Sequence, residues 1–476
     1  MSAPRSAPLE VKPAEFRVLG HALIEQIADY LEGLPERSIV AATVQDVRAR
    51  VQAIGWHAEG EPLAEIVASA ASLLLEHSVI TSHPRFWGYI NGAASPVAAL
   101  ADLVATTANP NASAWYVGPA TSAMEEQTIG WLAELVGYPR DAGGQLTSGG
   151  SMANLIGLAA ARHALGAAPG GLRVYATRET HTWLAKAASF LGLGPTAIRW
   201  IATEPGGRMS LAALRAALDE DDRAAGPAPS VVVANAGTTS TGAIDPIEEI
   251  AALCDARGAW LHVDGAYGAP AACVASAPRD LHVLARASSL VLDPHKWLYT
   301  SIEAGCVLVR DRRVLTDAFA HGSPYYGVGI DELPHLRDLG PQTTRGARVV
   351  KVWMCLRRAG RAGYASMIGD DIALARRLFD LASAHPELEA ITHNLSITTF
   401  RYVPATAAHD PGALDEINRE IVRRLQAGGR VYPSQTTVDG RVAIRVCIVN
   451  FRTTAADIDL LPTLVVDAGR AIAQGH

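Results

Sequence analysis

Between residues 85 and 365 short apolar runs alternate with stretches of helical periodicity, and several of the runs end on a polar residue. Ser230-Val231-Val232-Val233-Ala234-Asn235 is one, and Trp260-Leu261-His262-Val263-Asp264 another. Ser289-Leu290-Val291-Leu292-Asp293 and Cys306-Val307-Leu308-Val309 follow. Strands that are apolar throughout have to be covered on both faces, and strands separated by helices return to lie parallel. The texture therefore predicts an α/β fold with a mostly parallel mixed sheet sandwiched by helices. In such sheets ligands sit outside the carboxyl ends of the strands, where Asp264 and Asp293 fall.

The flanks differ. Phe16, Leu19, Leu23, Ile27, Tyr30 and Leu31 make one apolar stripe at helical spacing, and Leu63, Ile66, Val67, Leu73 and Leu74 make a second. Pro35 and Gly60-Glu61-Pro62 part them. Residues 1–84 are expected to be a helical N-terminal arm. Beyond residue 370, Leu414, Ile417, Ile421, Val422 and Leu425 fit a helix face stopped by Gly428-Gly429. Strands are expected at Ser396–Tyr402 and Arg441–Val449, and a last helix from about Ala455. The expected division is 1–84, a large domain at 85–369 and a small α+β C-terminal domain at 370–476.

Composition removes several function classes. A net charge of −7 argues against nucleic-acid and anionic-membrane partners. No run of about 18 apolar residues exists to span a bilayer, and Met1–Pro13 lacks the apolar centre of a leader. Cys254, Cys273, Cys306, Cys355 and Cys447 are odd in number and without CxxC spacing. Neither a disulfide framework nor a closed zinc site is expected, and a reducing cytoplasm is.

Three segments carry chemistry. In Asp293-Pro294-His295-Lys296-Trp297 a lysine follows an apolar strand, where desolvation favours the neutral amine that attacks carbonyls. Taken alone, a solvated surface lysine is the better account of it. In His262-Val263-Asp264-Gly265-Ala266-Tyr267 a carboxylate ends a buried strand; it needs a cationic partner, such as a protonated ring nitrogen, or a structural role as cap or ion pair. Leu146-Thr147-Ser148-Gly149-Gly150-Ser151 is a glycine turn opening a helix, suited to phosphate or to simple capping, and it is neither GxGxxG nor a Walker sequence.

Taken together and in order, these segments resemble the fold-type I pyridoxal-phosphate enzymes, and within them the group II amino-acid decarboxylases of the aromatic-L-amino-acid decarboxylase type. The resemblance runs from about residue 10 to 465. It rests on His83-Pro84-Arg85-Phe86-Trp87, Thr147-Ser148-Gly149-Gly150-Ser151, Glu179-Thr180-His181, Gly237-Thr238-Thr239, His262-Val263-Asp264-Gly265-Ala266-Tyr267 and Pro294-His295-Lys296-Trp297. Asp264 and Lys296 are 32 residues apart, about one βαβ unit.

The resemblance implies that Lys296 holds pyridoxal 5'-phosphate as a Schiff base and that Asp264 pairs with its ring nitrogen. It implies that His181 stacks on one ring face and Ala266 supports the other, with Thr239 beside the ring. Gly150, Ser151 and His295 would bind the phosphate, and Arg445 the substrate carboxylate. The implied reaction is decarboxylation of an L-amino acid to the amine and CO2 through a quinonoid. Asn111, Ser113 and Ile302 stand where the aromatic branch carries bulky apolar groups, while Tyr89, Ile90 and Trp115 keep an apolar wall; an aromatic substrate is the expectation. The N-terminal helices of such enzymes wrap a second subunit, so a homodimer is implied, with the site at the interface and residues 85–115 lining the partner's site.

Two positions depart from the family pattern. Aligned back from Thr344-Arg345-Gly346, Leu336 takes the place of the tyrosine credited with protonating the substrate carbon, leaving His335, Tyr325 or Tyr326 as substitutes. In related enzymes the loss of that phenol goes with oxygen-dependent aldehyde formation, which is the principal alternative; an aminotransferase and a non-catalytic cofactor-binding scaffold are further ones. Asp293 replaces an asparagine that faces the phosphate, and its carboxylate is expected to turn toward backbone donors instead.

Overall fold

The computed structural model describes residues 7–168, 170–194, 196–225, 228–322, 333–404 and 410–473. Tyr325 and Tyr326 lie outside these. The larger sheet has seven strands: β1 (Gly143–Thr147), β2 (Arg173–Thr177), β3 (Ile198–Ile201), β4 (Ser230–Asn235), β5 (Trp260–Asp264), β6 (Ser289–Leu292) and β7 (Gly305–Val309). Their spatial order is β1-β7-β6-β5-β4-β2-β3. Strands β3, β2, β4, β5 and β6 pair in parallel, while β7 runs antiparallel to both β6 and β1. The mixed, mostly parallel sheet follows from the valine- and leucine-rich centres of β4, β6 and β7, whose apolar side chains are buried on both faces.

Register makes the rim of this sheet. Asn235 stands opposite Asp264, and Asp264 opposite Val291, so β4 and β5 end level and Asp293 lies just past the same edge. Thr147 at the end of β1 pairs with Gly305. A Cβ at Gly305 would come within 2.5 Å of the Gly149 carbonyl carbon, so glycine is what lets the turn after β1 close over β7. Sequence pattern misses β1, β2 and β3. Strand β1 reads Gly-Gly-Gln-Leu-Thr with one apolar side chain, and β3 is an edge strand with Arg199 and Trp200 exposed.

The second sheet is antiparallel: β8 (Leu388–Asn394), β9 (Ile397–Tyr402), β10 (Ser434–Val438) and β11 (Arg441–Cys447), ordered β10-β11-β9-β8. Asp439 and Gly440, both at positive φ, make the two-residue β10–β11 turn that matches strand twist. The helix Pro411–Ala427, capped by Asp410 on the Ala413 amide at 3.1 Å, and the final helix Ala455–Ala473 cover this sheet. Their core gathers Ile421, Ile444, Ile458 and Leu461 together with Trp87, which arrives from far upstream. Arg85 ties the same segment down, donating to the carbonyls of Pro35 and Arg430 and pairing with Asp457 at 3.2 Å. The helical stretch Val349–Ala384, bent at Gly360 (φ 63°), runs through residue 370 and packs against both β8 and the helices beside the large sheet.

The N-terminal arm holds helices Pro13–Glu32, Val44–Gln52 and Leu63–His77. The middle one, whose Val44, Val47 and Val51 lie at i, i+3 and i+7, is started by a reciprocal cap between Thr43 and Asp46. Within one chain the apolar stripes are only partly covered: Leu23, Ile27 and Leu73 are half-buried, while Phe16 is 59% exposed and Leu74 69%. Among the described residues no helix is long and apolar enough to cross a membrane.

Candidate active site

The strand ends enclose a cavity of about 330 Å³ at the rim. It brings together Lys296, Asp264, His181, Gly150, Ser151, Thr239, Ala266, His295 and Asp293, all singled out from sequence, with Glu179, Trp183 and Asn235, to which sequence pattern had assigned no such place.

Lys296 sits one turn after β6. Its Nζ lies 3.1 Å from Asp293 Oδ2, so the amine faces a carboxylate where sequence pattern had predicted an apolar setting. Asp293 is buried, and the same Oδ2 accepts the Gly150 N–H at 3.0 Å. The expected turn toward a backbone donor is present, and the lysine is a second partner that was not anticipated. Asp293 Oδ1 has no hydrogen-bond partner.

The glycine turn is shaped by sterics. Gly149 has φ 138° and ψ 174°, a region closed to residues with a Cβ, and a Cβ on Gly150 would meet Asp293 Oδ2 at 2.6 Å. The helix Gly150–Ala164 thus starts at the cavity with no side-chain cap, its positive end directed there. Asn154 Nδ2 donates to the Gly150 carbonyl at 2.8 Å, and its Oδ1 accepts from His262 Nε2 at 2.7 Å. His262 Nδ1 then accepts from Ser289 Oγ at 2.7 Å, which fixes a neutral tautomer. Burial pushes the His262 pKa down to about 4, consistent with that. This chain of bonds sets the turn at a fixed height above β5 and β6.

Asp264 Oδ1 accepts from the Ala266 amide at 3.1 Å and Oδ2 from Trp183 Nε1 at 2.6 Å. His181 stands at the cavity mouth, its Nδ1 accepting from the Trp183 amide at 3.3 Å. Partial burial pushes the ring below the ordinary histidine value, opposed by the neighbouring Asp264 carboxylate. His295 Nδ1 donates to the Ala304 carbonyl at 2.7 Å, and burial lowers its pKa as well, opposed by Asp293.

The substrate residues expected from resemblance do not line this cavity within a single chain. Arg445 is buried and does not bound the cavity: it donates to the carbonyls of Thr239 (2.8 Å) and Tyr89 (3.2 Å) and to Ser434 Oγ (3.2 Å), and its remaining terminal nitrogen has no partner. Backbone carbonyls, which need donors once buried, have taken most of the guanidinium. Tyr89, Trp115 and Asn111 lie outside this chain's own cavity too; Asn111 Oδ1 accepts from the Arg345 amide at 3.2 Å, and Trp115 Nε1 donates to Pro334. Among the described residues no group of acidic, His or Cys side chains is arranged to hold a metal.

Behind the lysine, Trp297 Nε1 (2.9 Å) and the Tyr299 hydroxyl (2.7 Å) both donate to Asp371 Oδ2, on the long bent helix. Full burial pushes this carboxyl from 3.8 up to about 7. Between those values the folded chain keeps a proton that the unfolded chain has lost, so this group's contribution to stability falls as pH rises from about 4 to about 7. Asp371→Asn should flatten that slope by up to about 1.4 kcal/mol per pH unit. Denaturant unfolding of both proteins at several pH values in this range checks it: parallel curves would mean that Asp371 does not titrate there.

A family model described as the pyridoxal-dependent decarboxylase conserved domain matches residues 52–403. An aromatic-L-amino-acid decarboxylase of Bacillus atrophaeus is 32% identical over 458 residues, 95% of each chain. A phenylacetaldehyde synthase of a Rosa hybrid cultivar is 26% identical over 97% of this chain and 95% of its own. The crystal structure of Oryza sativa TDC with PLP and tryptamine superposes with a TM-score of 0.90 at 27% identity, covering 98% of this chain and all of the other. With a lysine, a buried aspartate and an uncapped helix start at one sheet rim, and a family match across most of its length, the chain belongs to the pyridoxal-dependent decarboxylases.

Proposed function

We propose that this carboxy-lyase acts on an aromatic L-amino acid, releasing CO2 and the corresponding amine, with Lys296, Asp264 and His181 as its catalytic groups. Its cofactor is pyridoxal phosphate and its reaction class amino-acid decarboxylation. The observation that carries the site assignment is the meeting of the Lys296 amine, the Asp264 carboxylate and the Gly149-Gly150 turn in one cavity. The residues present fit the group: a primary amine for its aldehyde, a carboxylate for its ring nitrogen, and a turn where a Cβ on Gly150 would collide.

When bound, pyridoxal phosphate supplies a ring that accepts the electron pair left by departing CO2. Asp264 would hold a proton on the ring nitrogen, which would raise that capacity. Lys296 must shed a proton before bonding to the aldehyde carbon, and Asp293 Oδ2 is the acceptor in reach, 3.1 Å away. The start of helix Gly150–Ala164, with Ser151 and His295 beside it in the cavity lining, would hold the phosphate. His181, Ala266 and Thr239 line the same cavity and would hold the ring between them.

The aromatic preference rests on the Bacillus atrophaeus and Oryza sativa relatives. A homodimer, with Arg445, Tyr89, Trp115 and Asn111 serving a substrate site completed by the partner, is supported by uncovered apolar surface on the N-terminal arm and by exposed Leu100, Leu103 and Val104 on helix Pro96–Ala108. A sedimenting mass of twice 50.1 kDa is expected. Five free cysteines accord with the cytoplasm.

A second reading, aldehyde formation, is favoured by one observation. Leu336 is buried and aliphatic at the position of the family's proton donor; its carbonyl accepts from Gln145, and its side chain has no proton to give. His335 is half-buried beside it, 3.5 Å from the Trp115 amide. Incubating purified protein with L-amino acids while scoring CO2, amine, aldehyde and oxygen uptake separates the two. Amine equal to CO2 without oxygen uptake is expected; aldehyde matching CO2 with oxygen consumed would establish the second reading.

A further inference from the structure

We propose that Trp183 is a positioning residue for the site, its indole N–H fixing the Asp264 carboxylate and its backbone amide fixing the His181 ring. The inference rests on the assignment of this cavity as the cofactor site and deepens it. Trp183 opens the helix Trp183–Phe190 and is almost fully buried. Buried tryptophans find acceptors for their N–H as a rule; here the acceptor is the carboxylate that ends β5, at 2.6 Å.

The chemistry of the donor matters. An indole N–H only donates and does not titrate near neutrality, so it makes Oδ2 an acceptor at every working pH. The Ala266 amide does the same for Oδ1. Two donors, one from the turn after β5 and one from the helix beyond β2, settle the plane of the carboxylate. The Trp183 main-chain N–H meets His181 Nδ1, which makes that nitrogen an acceptor and places the ring proton on Nε2. The indole cannot swing away: His262 packs edge-on against it, ring centres 5.6 Å apart at 72°, and is itself pinned by Asn154 and Ser289.

The test uses the holoenzyme and two variants. Trp183→Phe keeps an aromatic ring and loses the donor; Trp183→His keeps a ring donor. In W183F the midpoint of the pH-dependent change in the cofactor's visible absorbance should move by about half a unit or more, since the carboxylate facing the ring loses the indole partner that fixes it. The dissociation constant for pyridoxal phosphate should rise about tenfold and kcat fall about tenfold, with KM nearly unchanged, as expected of a charge-assisted hydrogen bond. W183H should recover part of each. Absorbance midpoint and cofactor affinity in W183F equal to wild type would overturn the proposal, as would W183H being no better than W183F at equal thermal stability. A wild-type protein without a cofactor band would instead strike the site assignment beneath it.

Discussion

Lys296→Ala is expected to lose decarboxylase activity by at least ~10³-fold, because nucleophilic catalysis by the amine has no substitute among the cavity residues. The same variant should lose the covalent attachment of the cofactor. Borohydride treatment of wild type should fix a mass increment on the peptide containing Lys296, and the variant should show none. Stability must be separated from chemistry, because Lys296 is the ion-pair partner of Asp293, whose side chain is 1% exposed. Removing the amine leaves that carboxylate with the Gly150 amide and the more distant His295 ring, 4.0 Å away, and an Oδ1 without any partner, a loss on the order of 1–3 kcal/mol. The double variant Lys296→Ala/Asp293→Asn should recover much of the stability and none of the activity. Retained turnover in either protein would end the assignment of Lys296.

Lys296 and Asp264 were legible because each follows an apolar strand, and strands β4 to β7 are legible because their burial on both faces leaves little choice of residue. Strand β1 was not, since two glycines that let helix and strand approach closely also erase the hydrophobic signal. Trp183 meets Asp264 across 81 residues, and nothing in a Thr-Trp-Leu sequence distinguishes an indole aimed at a site carboxylate from an ordinary core ring. The pairing of Asp293 with Lys296 combines a neighbour in sequence with a turn that only the structure supplies. Arg445 was legible by residue type alone; its bonds to the Thr239 and Tyr89 carbonyls, which leave one terminal nitrogen without a partner, come from contacts 206 and 356 residues away in sequence. Residue 370 lies inside a helix that belongs to both packing units, where hydrophobic periodicity continues without interruption and so marks no border.

The largest stability effect is expected away from the chemistry, at Arg345. Its guanidinium and Glu125, each 1% exposed, pair at 2.6 Å. Arg345 also donates to the carbonyls of Ala112 (3.0 Å) and Leu146 (2.7 Å), while Glu125 accepts from the Leu146 amide at 2.9 Å. One arginine therefore joins the segment at 111–115, the helix Pro119–Leu135 and strand β1, which leads into the glycine turn. In water each of these charges would be solvated; in the core each depends on the other. Arg345→Met should cost about 3–5 kcal/mol, since it strands a buried carboxylate and two carbonyls. Replacing both partners by apolar residues, Arg345→Met with Glu125→Leu, should cost less than the sum of the single changes by about 1–3 kcal/mol, the coupling a double-mutant cycle measures. Because β1 positions the turn, Arg345→Met should also weaken retention of pyridoxal phosphate during dialysis while leaving Lys296 competent when the cofactor is supplied in excess. Additive unfolding free energies in the cycle would mean that the two charges are not coupled, and that packing alone holds β1 against its helix.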